Sequence, residues 1–381
     1  MPSINFVIHK SDIGAQLVDG FHAYLCSKEI SLDIKIQNSI NKNADLNIFF
    51  TSMPTKYINT DQYDIVLYSN AGEPVGTATE VIKKNISNSN TYFIANSFLT
   101  KDHPLYNKVI CWPDPFCQTR TYWTQYFYKY YFNNNDNTRR EQQKNKIAYI
   151  NGQNRTVRHN FFKHLTKIKN IDCFGSYGNN LYNTNISFFE STEDCFFRQE
   201  LEVEEIFNVF CNTKYTYHDD KTYHGIDGKF GTIPPGYEIL EEYYKYACIV
   251  FPESSWQNNE LAITEKALKC FYTRCLPFPI AGAYVNSLYN EQGFYTAYNL
   301  LPKEYQEFDS ELDHSKRHKL ALESLKYLNN NLELFETDEF KEYVNHNQVS
   351  FHTKDVELSG IERLYNIIVK EIDIIKRAEG W

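Results

Sequence analysis

The sequence lacks several patterns that would assign a function at once. No G-x-G-x-x-G follows a strand-like run, which argues against a dinucleotide oxidoreductase. No stretch approaches the roughly 18 apolar residues of a membrane span, and the N-terminus lacks the charged-then-apolar pattern of a signal peptide. These absences predict a cytoplasmic protein without a membrane span.

Disulfide and zinc patterns are missing as well. The nine cysteines are an odd number with no C-x-x-C pair, and several lie in apolar runs such as YACIVF, so we expect buried, reduced thiols. The net charge of −9 argues against broad electrostatic binding to nucleic acid, which depends on Lys and Arg. Only 2 Met stand beside 30 Tyr, 27 Phe and many Asn and Lys, a usage typical of an AT-rich genome such as that of a phage or a low-GC bacterium.

The length of 381 residues favours two domains. Short apolar runs of strand length alternate with polar or amphipathic segments, which predicts βα units and mostly parallel sheets. The first series is INFVIH (4–9), LNIFF (46–50), DIVLYS (64–69), TYFIAN (91–96) and KVICW (108–112). The second series is KIAYING (146–152), IDCFGS (171–176), CIVFPE (248–253), a helix over 260–275 and LPFPIAG (276–282).

Two such series predict an α/β protein with two Rossmann-like domains. The polar segment FNNNDNTRREQQKNK has no apolar periodicity and is typical of a linker. We therefore expect a first domain over 1–132, a linker over 133–146 and a second domain over 147–350. Apolar residues at helical spacing near the C-terminus predict an amphipathic helix within 351–381 that packs on one of the domains.

The chemistry-bearing residues follow the strand CIVFPE. Ligands bind at the carboxyl ends of strands in open α/β sheets, so polar residues at that point line a candidate site. A helix start follows, and its free N–H groups and positive dipole end suit a pyrophosphate. Lys266 would neutralise phosphate charge and Glu265 would accept hydrogen bonds from hydroxyl groups. The alternative is that both are solvated surface residues. The candidate residues are Glu253, Ser255, Asn259, Thr264, Glu265 and Lys266.

The order FPESS, AITEK and LPFPIAG resembles the donor-binding signature of α1,3-fucosyltransferases and related GT-B glycosyltransferases. The resemblance covers roughly 147–293 and implies donor contacts for the matching residues of FPESS and AITEK. It implies an α/β GT-B fold, with two Rossmann-like domains facing a central cleft. Ser254 stands where the family has Asn, and Ala262 stands where it has an aromatic residue. The resemblance therefore identifies neither the sugar nor the base of the donor.

Arg155 follows the strand KIAYING, as a basic residue follows the first strand of the donor domain in such enzymes. Its planar guanidinium suits a diphosphate, and we favour it over Arg158. Both arginines would otherwise be surface charges at a helix start. The resemblance thus implies transfer of a sugar, with inversion, from a nucleotide sugar to a hydroxyl group.

An inverting transfer needs a general base on the acceptor side, and a carboxylate is usual in this family. Glu73, in the Gly- and Pro-bounded loop YSNAGEPVG, is our candidate, and a fucosyltransferase Gly-Glu is similarly placed. A structural turn residue is the alternative reading of Glu73. The other candidate bases are Asp12, His103 and Asp114.

A glycan is the expected acceptor. The aromatic run over 121–132 would be either an acceptor platform or a core helix. The cluster over 217–228 matches no known zinc spacing, and we expect neither a metal nor another cofactor. The alternatives are the same chemistry on a hydroxymethylated base in phage DNA, or a non-catalytic nucleotide- or sugar-binding module.

Overall fold

The computed structural model describes part of the chain. The described residues are 2–9, 18, 21–22, 24–26, 28–52, 61–69, 85, 87–111, 144–151, 161, 164–165, 168, 170–175, 243–253, 258–353 and 358–378. Its strands are β1 Ser3–His9, β2 Asp33–Gln37, β3 Leu46–Ser52, β4 Ile65–Ser69, β5 Thr91–Ala95, β6 Phe98–Leu99, β7 Val109–Cys111, β8 Lys144–Asn151, β9 Ile171–Gly175, β10 Tyr246–Pro252, β11 Glu260–Leu261 and β12 Leu276–Ile280. Its α-helices with defined bounds are α1 Glu265–Thr273, α2 Val285–Glu291, α3 His314–Asn330, α4 Asp338–Thr353 and α5 Leu358–Ala378.

These elements form two compact units. One unit contains 1–117, 259–262 and 355–381, and the other contains 118–258 and 263–354. Most of the predicted linker over 133–146 lies outside the described residues. No helix in the described ranges is long and apolar enough to cross a membrane.

The first unit is built on a six-stranded sheet in the order β2-β1-β3-β4-β5-β7, with all neighbouring strands parallel. Because side chains alternate between faces, Phe6 and Ile48 join one core cluster, while Val7 and Phe49 join another. Strands that are buried on both faces consist of nearly continuous apolar residues, so they could be predicted from the sequence.

The C-terminal helix α5 is strongly amphipathic. Ile361, Leu364, Ile368 and Ile372 recur every three or four residues, so they share one helix face. All four are buried in the core cluster that contains Phe6. In the first unit, α5 therefore covers one face of the parallel sheet.

The second unit contains a four-stranded parallel sheet in the order β12-β10-β8-β9. The chain begins with β8, adds β9 on one side, and later adds β10 on the other. The strand order therefore reverses between β8 and β10. In open α/β sheets this reversal marks the ligand-binding crevice, at the carboxyl ends of the two strands.

The predicted helix over 260–275 is shorter than expected. Glu260 and Leu261 instead form β11, which pairs antiparallel with Phe98–Leu99 of the first unit. The Glu260 carboxylate accepts a hydrogen bond from the Ser97 hydroxyl at 2.6 Å, and both side chains are buried. This tertiary pairing outweighs the local helical pattern, so α1 begins only at Glu265.

Five cysteines are free thiols: Cys26, Cys111, Cys248, Cys270 and Cys275. Burial raises the pKa of Cys248 and Cys270 well above the ordinary thiol value, and that of Cys111 to about 12. Cys26 is exposed. Buried thiols of this kind act as small apolar side chains in the core.

His318 on α3 supplies a pH-dependent contribution to stability. Burial, followed by the nearby Arg317 and His314, lowers its pKa well below the usual value. As the pH falls, the His318 imidazole therefore binds a proton in the unfolded chain before it does so in the folded protein. The stability that this group contributes above about pH 6.5 is lost as the pH falls below that value. Below that pH, we expect the free energy of unfolding measured with urea to fall by up to about 1.4 kcal/mol per pH unit because of this group.

His318→Leu should reduce this pH slope, measured by urea unfolding between about pH 7 and pH 5. His346→Leu is the control, because the imidazole of His346 lies on the exposed side of α4. Equal slopes in wild type and His318→Leu would contradict the assignment.

Candidate functional site

The candidate site of the second unit begins where β10 ends. Glu253 follows Pro252 directly and has a relative exposure of 0%. Its backbone N–H donates to the carbonyl of Ile280 at 2.9 Å, which ties it to the carboxyl end of β12. A carboxylate is thus fixed inside the protein beside the strand-order reversal.

The Glu253 carboxylate accepts hydrogen bonds at both oxygens. The Thr264 hydroxyl donates to Oε2 at 2.6 Å, while the Tyr289 hydroxyl donates to Oε1 at 2.9 Å. The Thr264 backbone N–H also approaches Oε1, at 3.3 Å. Buried carboxylates are costly unless such donors surround them. Glu253 therefore fixes the residue that precedes α1 against the end of β10.

Thr264 occupies the N-cap of α1 with an extended backbone, but its side chain does not cap the helix. The hydroxyl of an N-cap threonine usually accepts from the helix N–H groups. Here the hydroxyl donates to Glu253 instead. The positive end of the α1 dipole is thereby held at the carboxyl edge of a parallel sheet, an arrangement suited to a phosphate group.

Lys266 brings a positive charge to the first turn of α1. Its Nζ lies 3.2 Å from the Thr264 hydroxyl oxygen and 3.8 Å from Glu253 Oε2. Its side chain is only 12% exposed. Confined in this way, the ammonium group interacts with nearby charges more strongly than a fully solvated lysine would.

Glu253→Gln is expected to lower the free energy of unfolding by about 2 to 3 kcal/mol, because it removes the charge beside Lys266 and replaces one of the two acceptor oxygens with an amide donor. Urea denaturation measures the loss. Glu323→Gln is the matched control: Glu323 pairs with Lys326 at 2.6 Å on an exposed surface and should change stability by less than about 1 kcal/mol. Equal losses in the two variants would show that the buried network contributes no more to stability than an exposed ion pair.

The neighbouring asparagines fall into different units. Asn259 belongs to the first unit, where its carbonyl accepts from the Thr100 N–H at 3.2 Å. Asn258 belongs to the second, and its side-chain oxygen accepts from Ala283 N–H at 2.9 Å and from Arg317 at 3.0 Å. Asn258 thus fixes the loop after β12.

The other predicted residues are described in part or not at all. Glu265 begins α1, but its side chain lies outside the described residues. His103 forms a turn in the first unit, where its Nδ1 accepts from the Leu105 N–H at 3.1 Å. Beyond the described residues lie Glu73, Arg155, Arg158, Ser255, Asp12, Asp114, the aromatic run over 121–132 and the cluster over 217–228.

Tyr289 is a member of the site that sequence reasoning missed. It lies 36 positions after Glu253 and belongs to no part of the motif. Within the described ranges, no group of three His, Cys, Asp or Glu side chains is placed to hold a metal ion.

No family model matches the sequence, and no curated protein matches it. Solved structures that are similar to the chain include an α1,3-fucosyltransferase, a wall teichoic acid polymerase and a trehalose 6-phosphate synthase. An α1,3-fucosyltransferase with GDP-fucose is 12% identical, with a TM-score of 0.36 over 94% of this chain and 93% of that one. The wall teichoic acid polymerase TagF is 11% identical, with a TM-score of 0.30 over 97% and 88%.

The third is α,α-trehalose 6-phosphate synthase from Burkholderia multivorans, 7% identical, with a TM-score of 0.35 over 100% of this chain and 72% of that one. TM-scores this low do not establish a shared fold.

Proposed function

We propose that the chain is a glycosyltransferase of the GT-B type, which transfers a sugar from a nucleotide sugar to a hydroxyl group with inversion. The observation that carries the proposal is the buried hydrogen-bond network of Glu253. That network holds Thr264 and Lys266 at the start of α1, at the carboxyl end of β10. A cation and a helix N-terminus at the reversal of strand order form a site for the diphosphate of a donor.

The residues have different roles in this proposal. Lys266 and the first turn of α1 bind the diphosphate, and Arg155 adds a bidentate contact. Ser255, Asn259 and Glu265 contact the rest of the donor. Glu253 and Thr264, which are 0% and 4% exposed, support this site from inside the protein.

The reaction needs one proton transfer and one displacement. Glu73 takes the proton of the acceptor hydroxyl, whose oxygen attacks the anomeric carbon on the face opposite the leaving group. The bond from that carbon to the phosphate oxygen breaks, and the nucleoside diphosphate leaves with the electron pair. Lys266 and Arg155 stabilise the negative charge that develops on it. The proposal requires neither a metal nor another cofactor.

GDP-fucose is the first donor to test, because FPESS and AITEK resemble the fucosyltransferase signature. A glycan is the proposed acceptor. A hydroxymethylated base in DNA would use the same chemistry, but the net charge of −9 opposes binding to a polyanion.

The test incubates the full chain with GDP-fucose, or with UDP-, CMP- or dTDP-linked sugars. The acceptors are a glycan array and duplex DNA that contains hydroxymethylated bases. Mass spectrometry should detect the mass of one added sugar on a glycan, with release of the nucleotide. Transfer to DNA would support the proposed reaction but would replace the glycan with a modified base as the acceptor. Donor binding without product would contradict the enzyme proposal and favour a nucleotide-binding module.

A further inference from the structure

We propose that Tyr289 is a positioning residue for the donor diphosphate, and that it acts through Glu253 on Lys266. This inference rests on the proposed function, because it assigns a purpose to Lys266. Tyr289 does not touch the donor in this proposal. Its hydroxyl orients the carboxylate beside which the Lys266 ammonium lies.

The two oxygens of Glu253 have separate partners. The Tyr289 hydroxyl donates to Oε1 at 2.9 Å, whereas the Thr264 hydroxyl donates to Oε2 at 2.6 Å. The Lys266 Nζ is 3.8 Å from Oε2. By binding Oε1, Tyr289 fixes the plane of the carboxylate and keeps Oε2 turned toward Thr264 and Lys266. The Thr264 N–H also approaches Oε1, at the longer distance of 3.3 Å.

Packing holds the Tyr289 ring in place. The side chain is 0% exposed, and its ring meets that of Phe271 edge-on, with centroids 6.2 Å apart. Phe271 belongs to α1 and stacks in turn on Phe294 at 4.3 Å. The hydroxyl position is thus set by the same helix whose first turn carries Lys266.

The helix that carries Tyr289 is itself anchored. The buried carboxylate of Asp309 accepts hydrogen bonds from the backbone N–H groups of Asn286 at 2.8 Å and Ser287 at 3.0 Å. It also accepts from the Ser287 hydroxyl at 2.8 Å. Since α2 is fixed at its first turn, the Tyr289 hydroxyl has little freedom to leave Glu253.

The test measures binding of UDP, GDP, CDP and dTDP, and of the matching nucleosides, to the full chain by titration calorimetry. Wild type should bind one diphosphate, and Tyr289→Phe should bind that diphosphate about tenfold more weakly, which is the effect of one hydrogen bond to a charged group. Nucleoside affinity should not change. In the Lys266→Met background, Tyr289→Phe should have no further effect, because its action passes through Lys266.

One further variant keeps the result interpretable. Tyr305→Phe is the matched control, since its ring stacks on Tyr327 at 4.4 Å in the same unit and takes no part in the network. It should leave all affinities unchanged.

The outcomes separate the inference from the proposed function. If wild type binds no diphosphate, the proposed function fails, and the inference fails with it. If Lys266→Met weakens diphosphate binding but Tyr289→Phe does not, only the inference is overturned. Equal losses of nucleoside and diphosphate affinity in Tyr289→Phe would also overturn it, because they would indicate general disturbance of the fold.

Discussion

Lys266→Met should lower the affinity for the donor nucleoside diphosphate by about a hundredfold, equivalent to about 2.8 kcal/mol. The substitution keeps an unbranched side chain of similar length but removes the ammonium group. At 12% exposure this charge is confined at the start of α1, where it adds to the positive end of the helix dipole. Titration calorimetry with the best-bound diphosphate measures the change.

Lys326→Met is the matched control for this experiment. Lys326 lies on α3 of the same unit, where its ammonium group pairs with Glu323 on an exposed surface. Its replacement should leave affinity unchanged. Urea unfolding of both variants measures how far the free energy of unfolding falls when the Lys266 ammonium group beside Glu253 is removed. Full diphosphate affinity in folded Lys266→Met would remove Lys266 from the site.

Glu73→Gln should lower the rate of sugar transfer by about a hundredfold to ten-thousandfold, the usual contribution of a general base. Glutamine has the shape of glutamate but cannot take the acceptor proton. Donor affinity should not change, because Glu73 acts on the acceptor. Initial rates at saturating donor, together with calorimetry of donor binding, measure the two effects.

His103→Gln, Asp12→Asn and Asp114→Asn provide the comparison for Glu73. If one of them loses turnover while Glu73→Gln keeps it, that residue replaces Glu73 as the base. Weak donor binding in Glu73→Gln would instead indicate a structural role for this side chain.

The buried strands of both sheets could be predicted from the sequence, because such strands consist almost entirely of apolar residues. YACIVF lies within β10, and LPFPI is β12. The strand β2 was missed because it has no continuous apolar run, and three of its five residues are exposed. The short pair of β6 and β11 was missed because it joins residues far apart in the sequence.

The site could be predicted only as a linear pattern. A polar residue at a strand end and a charged helix start suggested Glu253, Thr264 and Lys266, and the structure brings these three together. The complete burial of Glu253 and its bond to Tyr289 depend on how α2 packs against α1. Local spacing contains no information about such packing.

A thermal-shift titration of the full chain with GDP-, UDP-, CMP- and dTDP-linked sugars tests the central claim, that the start of α1 holds a nucleotide-sugar diphosphate. At a hundred times its Kd, the correct donor should stabilise the fold by about 2.7 kcal/mol and raise the Tm by about 5 °C or more. At the same donor concentration in Lys266→Met, the stabilisation should fall to about 0.4 kcal/mol and the shift to about 1 °C or less. A wild-type Tm that none of the donors changes would contradict the claim.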